Sequence, residues 1–144
     1  MSEHTDVPEG FDLKAWFKEI KTIAVVGYSD NPERAGHYVS HHMADSGYEV
    51  IAVNPRFGAE VNGLQCYKSL PEIPVGTKVD VIDCFRSPKY MPDVVKAAAT
   101  MDPKPDYIVM QPGAESEEAA DLARENGMEP LMLCLMAAHR IWSV

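Results

Sequence analysis

Three arginines, Arg34, Arg56 and Arg86, each follow a short apolar run of the sequence, and Lys89 comes shortly after the last of them. Guanidinium groups bind phosphate and carboxylate oxygens through paired hydrogen bonds. If the apolar runs are parallel strands of one sheet, the residues that follow them meet at one edge of that sheet. The pattern therefore predicts an anion-binding crevice in a chain that is otherwise acidic.

The first of these segments begins at Gly27 and has the residues of a phosphate-binding loop before a helix. Ser29 and Asn31 supply side-chain donors and Arg34 supplies a charge, beside the free backbone amides of the helix start. A dinucleotide-binding fingerprint would require glycines at Ser29 and Pro32, and only its first glycine is present. The alternative is that Asn31 and Pro32 only begin a helix.

The second segment, Asn54-Pro55-Arg56, distinguishes between adenine nucleotides. An NAD site usually has a carboxylate at the end of the second strand, where it binds the ribose hydroxyls. No carboxylate stands here, and Arg56 could instead pair with a phosphate on the ribose. This favours NADP or coenzyme A over NAD. The alternative is that Asn54 and Pro55 form only a turn.

The other reactive side chains do not form a recognisable catalytic set or metal site. The sequence contains no P-loop pattern, and Asn31 replaces the second glycine of a nucleophile elbow around Ser29. His37 and His41 have a spacing that can bind a metal on a helix, but an exposed polar face explains them better because no third ligand is anchored elsewhere. We therefore expect neither catalytic residues nor a bound metal.

Short apolar runs alternate with helical periodicity along the chain. The predicted strands are residues 22–27, 48–53, 79–85, 106–110 and 131–135. The predicted helices are residues 11–20, 34–46, 87–101 and 116–126. This alternation predicts an α/β fold, a Rossmann-like doubly wound parallel sheet of five strands with an added N-terminal helix.

Length and charge limit the classes of protein and partner. The 144 residues favour a single domain over residues 1–144, of which residues 1–10 are expected to be a flexible tail. The formal net charge of −9 arises from two acidic segments, residues 1–12 and 115–129. Without a basic stripe, nucleic acid is not expected as a partner. No apolar run approaches the roughly 18 residues of a membrane span.

The cysteines and the N-terminus predict a cytoplasmic location. Three cysteines at wide spacing form neither a disulfide framework nor a zinc-binding pair. Cys84 and Cys134 lie in apolar runs, which indicates buried, unreactive thiols. The first residues lack the apolar segment of a secretory signal. We therefore expect the reducing cytoplasm.

Six short motifs occur in order along residues 21–139. They are Gly27-x-Ser29-x-x-Pro32, Val53-Asn54-Pro55, Cys66-Tyr67-x-Ser69-Leu70, Phe85-Arg86-x-Pro88, Met110-Gln111-x-Gly113 and a late Cys134. Together they resemble the small stand-alone CoA-binding domain proteins, which are similar to the CoA-binding domain of the succinyl-CoA synthetase α chain. The resemblance implies a Rossmann fold that binds coenzyme A.

The resemblance also implies where the ligand lies. The phosphates would lie at the first loop, the adenosine near the second, and the loop after residue 84 would close over the nucleotide. The resulting set of binding residues is Gly27, Tyr28, Ser29, Asn31, Pro32, Arg34, Asn54, Pro55, Arg56, Phe85, Arg86, Ser87, Pro88, Gln111 and Gly113.

The segment around Cys134 departs from the family pattern. Met132 and Leu133 stand where many relatives have Asp or Asn and Arg, and Met136 and Ala138 stand where Lys and Glu are frequent. A polar role for this segment is therefore not carried over. The chain also has no room for the phosphohistidine domain of the synthetase, so ligase activity is not expected.

These observations predict a protein that binds coenzyme A or an acyl-CoA as a carrier, a sensor or a regulatory protein. One alternative is an NADP-dependent oxidoreductase fragment, which the missing glycines and the lack of a second domain disfavour. Another is an interaction module with a vestigial crevice. That module would bind a second copy or an unknown protein through Phe11, Trp16 and Phe17 or through Ile141 and Trp142.

Overall fold

Seven strands form one sheet in the computed structural model, which describes residues 6–143. The strands are β1 Thr22–Val26, β2 Glu49–Val53, β3 Glu60–Val61, β4 Leu64–Tyr67, β5 Val81–Cys84, β6 Tyr107–Met110 and β7 Glu129–Met132. Their order in the sheet is β3-β4-β2-β1-β5-β6-β7. All neighbouring pairs are parallel except β3 with β4. The α/β class is confirmed.

The predicted count of five strands is wrong, because β3 and β4 add a hairpin at one edge. The two strands are joined by Asn62 and Gly63, both in left-handed backbone conformation with φ of 50° and 82°. An Asn-Gly pair is the preferred two-residue connection of a hairpin, since both positions require positive φ. β4 then pairs in parallel with β2 and extends the sheet beyond its five central strands.

Helices cover both faces of the sheet. One face carries α1 Leu13–Glu19, α2 Ala35–Asp45 and α5 Leu135–Trp142, and the other carries α3 Met91–Ala99 and α4 Glu117–Glu125. Each helix buries an apolar stripe, such as Met91, Val95 and Ala98 on α3. Buried on both faces, the central strands consist mainly of apolar residues, as expected for a parallel sheet.

The prediction of a strand over residues 131–135 is wrong at its end. β7 ends at Met132, and Leu135 already begins α5, with Cys134 as the residue before the helix. An apolar run of this length does not distinguish a buried strand from the first turn of a buried helix. Cys134 is therefore half-buried at a helix start and not enclosed in a strand.

The N-terminal helix packs into the core. Asp12 accepts a hydrogen bond from the backbone N–H of Ala15 and so caps α1. Trp16 and Phe17 are 2% and 3% exposed. This burial contradicts the hypothesis that these aromatic residues form a partner surface, whereas Ile141 and Trp142 at the end of α5 are exposed.

The structure describes only part of the segment, residues 1–10, that is expected to be a flexible tail. Residues 1–5 lie outside the described residues. Asp6 instead exchanges two backbone hydrogen bonds with Met132, in an antiparallel bridge to β7. Within residues 6–143, no helix has both the length and the apolar character needed to cross a membrane.

The strand order positions the candidate site. From β1 the chain crosses to β2 over one face of the sheet, and from β5 it crosses to β6 over the other. The loops that follow β1 and β5 therefore diverge and leave a crevice between them at the carboxyl edge of the sheet. Ligands of doubly wound folds bind at such a switch point.

Candidate functional site

Gly27 brings the first loop against the loop after β5. Its φ is +87°, and a Cβ on it would lie 2.6 Å from the carbonyl oxygen of Phe85. Gly36, in the first turn of α2, makes a similar approach, since its Cβ would lie 2.7 Å from the carbonyl oxygen of Gly27. Only glycine allows backbone segments to pack this closely. The two glycines therefore fix the start of α2 beside the end of β1.

The loop between β1 and α2 is ordered by its own side chains. Ser29 accepts a hydrogen bond from the backbone N–H of Asn31, and Asn31 accepts one from the backbone N–H of Glu33. No side chain caps α2, and the backbone N–H groups of Ala35 and Gly36 donate to no acceptor within residues 6–143. These amides line the cleft, where a helix N-terminus favours an anion.

Tyr28 turns its side chain away from the crevice. The residue is 1% exposed, and its hydroxyl lies 2.7 Å from Nε2 of His41 and accepts a hydrogen bond from Asn62. His37 lies beside them and bonds the carbonyl oxygen of Ser29. Burial raises the pKa of Tyr28 and lowers the pKa of His41. The two histidines therefore support the loop, and the prediction that they form an exposed polar face is wrong.

Asn54 joins the second loop to the first. Its side-chain N–H donates to the carbonyl oxygen of Tyr28 at 2.8 Å, and its side-chain oxygen accepts from the backbone N–H of Arg56 at 2.9 Å. The guanidinium of Arg56 lies over the ring of Phe57, with 5.4 Å to the centroid. Asn54 thus holds the two loops together, and Arg56 remains exposed at the rim.

A polar cleft of about 590 Å³ lies above the switch point. Its basic residues come from three loops, with Arg34 after β1, Arg56 after β2 and Arg86 after β5. The complete lining consists of Gly27, Tyr28, Ser29, Asp30, Asn31, Arg34, Ala35, Gly36, Asn54, Arg56, Phe85 and Arg86. Most residues of the predicted binding set therefore border one cavity.

An apolar cleft of about 510 Å³ continues from the polar cleft and shares Gly27, Asn54, Arg56 and Arg86 with it. Its remaining lining is mostly apolar and consists of Val26, Val53, Pro55, Lys68, Ser69, Leu70, Tyr90, Asp93, Val94 and Ala97. Of these, the sequence analysis assigns only Pro55 to the site. The others come from the ends of β1 and β2, from the segment after β4, and from Tyr90 and α3.

The motif Cys66-Tyr67-x-Ser69-Leu70 is the signal in the sequence that points to this part of the lining. It brackets Lys68, whose ammonium group donates to the carbonyl oxygen of Pro55 at 3.4 Å. The motif includes the end of β4. Because β4 is short and contains the polar Gln65, the sequence does not identify this segment as a strand end.

A third, smaller cavity of about 260 Å³ lies between the loops after β5 and β6, and we call it the inner pocket. Its lining residues are Phe85, Arg86, Ser87, Gln111, Pro112, Gly113 and Ala114. It therefore contains Ser87, Gln111 and Gly113 of the predicted set. Pro32 and Pro88 line none of the three cavities, and Pro88 instead begins a 3₁₀ turn, Pro88–Tyr90, that leads into α3.

Beneath the inner pocket lies a buried acid. Gln111 donates from Nε2 to Oδ1 of Asp83 on β5 at 2.6 Å. The two residues are 3% and 0% exposed. Burial raises the pKa of Asp83 to about 7, although the hydrogen bond from Gln111 acts in the opposite direction. The other oxygen of Asp83, Oδ2, has no partner within the described residues.

The basic residues of the crevice are not engaged in ion pairs with the described part of the chain. The ion pairs there join Lys78 to Asp106 and Arg124 to Asp121, both away from the crevice. Arg86 lies over the ring of Tyr90, with 4.4 Å to the centroid. The guanidinium groups at the crevice are thus available to an anionic ligand.

The cysteines lie apart from these cavities. All three thiols are free, and burial raises the pKa of Cys66 and of Cys84. None of the three cysteines lines the polar cleft, the apolar cleft or the inner pocket.

Comparison with known proteins gives a consistent result. Residues 21–140 match a family model described as the CoA binding domain. The uncharacterized protein YneT of Bacillus subtilis (strain 168) is 36% identical over 135 residues, which cover 93% of this chain and 96% of that protein. A hypothetical protein from Pyrococcus horikoshii OT3 has a TM-score of 0.85 and 31% identity, with coverage of 98% of this chain and 99% of that one.

A larger enzyme contains a similar domain. The dinucleotide-forming acetyl-coenzyme A synthetase 1 of Ca. Korarchaeum cryptofilum, in complex with phosphate and ADP, matches with a TM-score of 0.67 and 26% identity. The match covers 83% of this chain but 26% of the synthetase. This chain therefore corresponds to one part of that enzyme.

Proposed function

Because this chain belongs to the CoA-binding domain family, we propose that its crevice binds coenzyme A or an acyl-CoA. The observation that carries the proposal is the polar cleft, where three arginines that form no ion pair with residues 6–143 meet the amides at the start of α2. Such a concentration of positive charge is unexpected in a chain of net charge −9 unless it serves an anion.

The polar cleft suits the phosphate groups of the ligand. Arg34 and Arg86 border it from two sides, and Ser29 and Asn31 add hydrogen-bonding side chains. Guanidinium groups and helix-start amides are the protein groups that most often bind phosphate oxygens. Asp30 is the acidic residue of this lining, and it is outnumbered by the arginines.

The apolar cleft suits the adenine ring. Leu70, Val94 and Ala97 offer apolar contacts to a flat ring, beside the Tyr90 ring that Arg86 covers. Arg56 lines both clefts and Lys68 lines the apolar cleft, and a phosphate on the ribose would lie beside these two cations. This arrangement supports a ligand with a phosphorylated adenosine.

The inner pocket is then the place for the pantetheine arm, under the loop formed by Phe85, Arg86, Ser87 and Pro88.

No catalytic residue is assigned, so the proposed role is that of a carrier, a sensor or a regulatory protein. The cytoplasm is the proposed location, on the grounds of the cysteine pattern of the sequence. A homodimer or a protein partner is compatible with the exposed Ile141 and Trp142.

Calorimetric titration with coenzyme A, dephospho-coenzyme A, NADP and NAD tests the proposal. We expect coenzyme A to bind most tightly and NAD to bind weakly or not at all. A clear preference for NADP over coenzyme A would favour the oxidoreductase alternative. A protein that binds none of the four would favour the interaction module.

Replacing Arg56 by alanine is expected to remove the preference for coenzyme A over dephospho-coenzyme A. One charge-assisted pair contributes about 1.5–3 kcal/mol, so the preference of the unaltered protein should be about tenfold to a hundredfold. The variant should retain its affinity for dephospho-coenzyme A, since only the extra phosphate loses a partner. Arg124→Ala on the exposed face of α4 is the matched control. Equal affinities for the two ligands in the unaltered protein would remove Arg56 from the site.

Replacing Arg34 by alanine is expected to weaken the binding of coenzyme A by about 1–3 kcal/mol. The loss should become smaller at high salt, because Arg34 is exposed and its charge is screened by ions. Calorimetry at low and high ionic strength measures both effects, with Arg124→Ala again as the control. An unchanged affinity at low salt would exclude Arg34 from contact with the ligand.

A further inference from the structure

The buried pair of Asp83 and Gln111 lies beneath the inner pocket, and Asp83 has no assigned role. Asp83 shares its face of the sheet with Val25 on β1 and Val109 on β6, its partners in register. Gln111 donates to its Oδ1 atom, and its Oδ2 atom has no hydrogen-bond partner within residues 6–143. A fully buried carboxyl group with one unpartnered oxygen is costly, and it is retained in proteins mainly where it has a task.

Among the described residues, no charged side chain of the helices on that face is directed at Asp83. The histidines of the helices on that face are engaged elsewhere, because His37 and His41 contact Tyr28 and His42 bonds His139. The charged residues of α1, namely Lys14, Lys18 and Glu19, are exposed, as are Asp45 of α2 and Arg140 of α5. The neighbouring titratable group on β5 is the thiol of Cys84, which is buried and neutral. The pKa of Asp83 is therefore raised by its burial and lowered in part by the hydrogen bonds from Gln111 and from the backbone of Cys84.

Gln111 connects this acid to the inner pocket. Its Nε2 is used by Asp83, whereas its Oε1 accepts no hydrogen bond from the described residues. The buried unpartnered side-chain atoms among those residues are Asp83 Oδ2 and Trp16 Nε1, so Oε1 of Gln111 reaches the surface of the pocket. When Asp83 is ionised, Gln111 must donate to it, and the pocket is presented with an acceptor oxygen.

A protonated Asp83 allows the opposite arrangement. Its O–H can donate to Oε1 of Gln111, and the amide then turns so that Nε2 presents its N–H groups to the pocket. An acceptor-rich ligand, with phosphate and amide oxygens, is bound better by these donors. The ionised carboxylate of Asp83 lies two residues from Phe85, about 7 Å along the strand, and its negative charge repels the phosphates. Protonation removes this charge. Both effects favour the protonated acid in the complex.

We propose that Asp83 and Gln111 couple ligand binding in the crevice to the uptake of one proton. The inference rests on the proposed function, since it assumes a polyanionic ligand whose arm enters the inner pocket. In chemical terms, the ionised carboxylate of the free protein takes one proton from solvent as the ligand binds, and the complex holds the neutral acid. The affinity for coenzyme A therefore decreases as the pH rises through neutrality.

Calorimetry with the full chain at pH 6, 7 and 8 tests this coupling. The ligands are coenzyme A and adenosine 3′,5′-bisphosphate, which lacks the pantetheine arm. The proteins are the unaltered chain, Asp83→Asn, which cannot ionise, and Asp121→Asn, which removes the same charge from an exposed position on α4. Because the ligands also titrate, the informative quantity is the difference between the unaltered protein and each variant.

The affinity of the unaltered protein for coenzyme A should fall about tenfold from pH 6 to pH 8 relative to Asp83→Asn, as expected for one proton bound with a pKa near 7. Asp121→Asn should behave like the unaltered protein. An identical pH dependence in the unaltered protein and Asp83→Asn would overturn the inference. Binding of adenosine 3′,5′-bisphosphate would in that case still support the proposed function, whereas failure of both ligands to bind would overturn the proposed function itself.

Carbon NMR of the aspartate carboxyl groups supplies a second measurement that needs no variant. The resonance of Asp83 should titrate near pH 7 in the free protein, and its pKa should rise by at least one unit when coenzyme A is added. An unchanged pKa in the complex would overturn the proton coupling.

Discussion

Replacing Gly27 by alanine is expected to lower the free energy of unfolding by about 3–5 kcal/mol. Alanine at a φ of +87° is strained, and its Cβ would lie 2.6 Å from the carbonyl oxygen of Phe85. Since the obstacle is backbone of the neighbouring strand end, the β1 and β5 loops must separate. The binding of coenzyme A should be lost along with stability, because the same separation displaces Arg34 and Arg86 across the crevice.

Denaturant unfolding of Gly27→Ala and Gly58→Ala measures this effect. Gly58 is exposed in the loop after β2, has no positive φ, and has no atom within 4 Å of an added Cβ. The control should therefore stay within about 0.5 kcal/mol of the unaltered protein. If Gly27→Ala were as stable as the control, the close approach of the two loops would not exist.

Replacing Asp83 by asparagine is expected to stabilise the protein at pH 8 by about 4 kcal/mol. The pKa of Asp83 in the folded protein is about 7, whereas an unfolded aspartate titrates near 4. Between these values the unfolded chain releases a proton that the folded protein keeps. The unaltered protein therefore loses about 1.4 kcal/mol of stability for each pH unit from about 4 to about 7, and the loss is complete above that range.

The variant avoids this loss, because asparagine resembles the protonated acid in shape and remains neutral. At pH 4 the two proteins should be equally stable. Chemical unfolding at pH 4, 6 and 8 measures the difference, with Asp121→Asn as a control whose effect should be small at every pH. A variant that is less stable than the unaltered protein at pH 8 would mean that the ionised carboxylate has a favourable partner.

The central strands can be predicted from sequence because their physical signals are local. β1, β2, β5 and β6 are short, mainly apolar strands buried on both faces, with Asp83 as the charged residue of β5, and a glycine, a proline or a polar loop follows each of them. Both helix-rich faces follow from the alternation of such runs with helical periodicity. The position of the crevice then follows from the strand order, without knowledge of any side-chain contact.

The edge hairpin and the last helix are harder to predict. β4 has four residues, including the exposed Gln65, so its apolar pattern is too short to recognise, although Asn62 and Gly63 give a clear turn signal. At the C-terminal end, residues 131–135 are uniformly apolar, and such a run carries no period that separates strand from helix. The first error arises because the strand is too short to show a period, and the second because a uniformly apolar run shows none.

Some residues of the candidate site can also be predicted from local sequence patterns, and others cannot. The basic and polar loop residues stand directly after strands, so the strand pattern alone brings Arg34, Arg56 and Arg86 together. Leu70 and Tyr90 join the apolar cleft only through tertiary packing of β4 and α3. Likewise, the inward direction of the Tyr28 ring depends on partners in α2 and in the hairpin, which no local pattern reveals. Contact of any of these residues with a ligand stays a prediction.

Both margins of the sheet are closed to strand addition by another chain. An exposed edge presents unpaired N–H and C=O groups that can act as a template for aggregation. At one margin, β3 is only two residues long and carries the exposed Glu60. At the other, Pro130 removes a donor from β7, and the bridge from Asp6 occupies both backbone groups of Met132. Self-association through a continuous sheet is thereby prevented, and a deletion that removes Asp6 would expose the margin most prone to it.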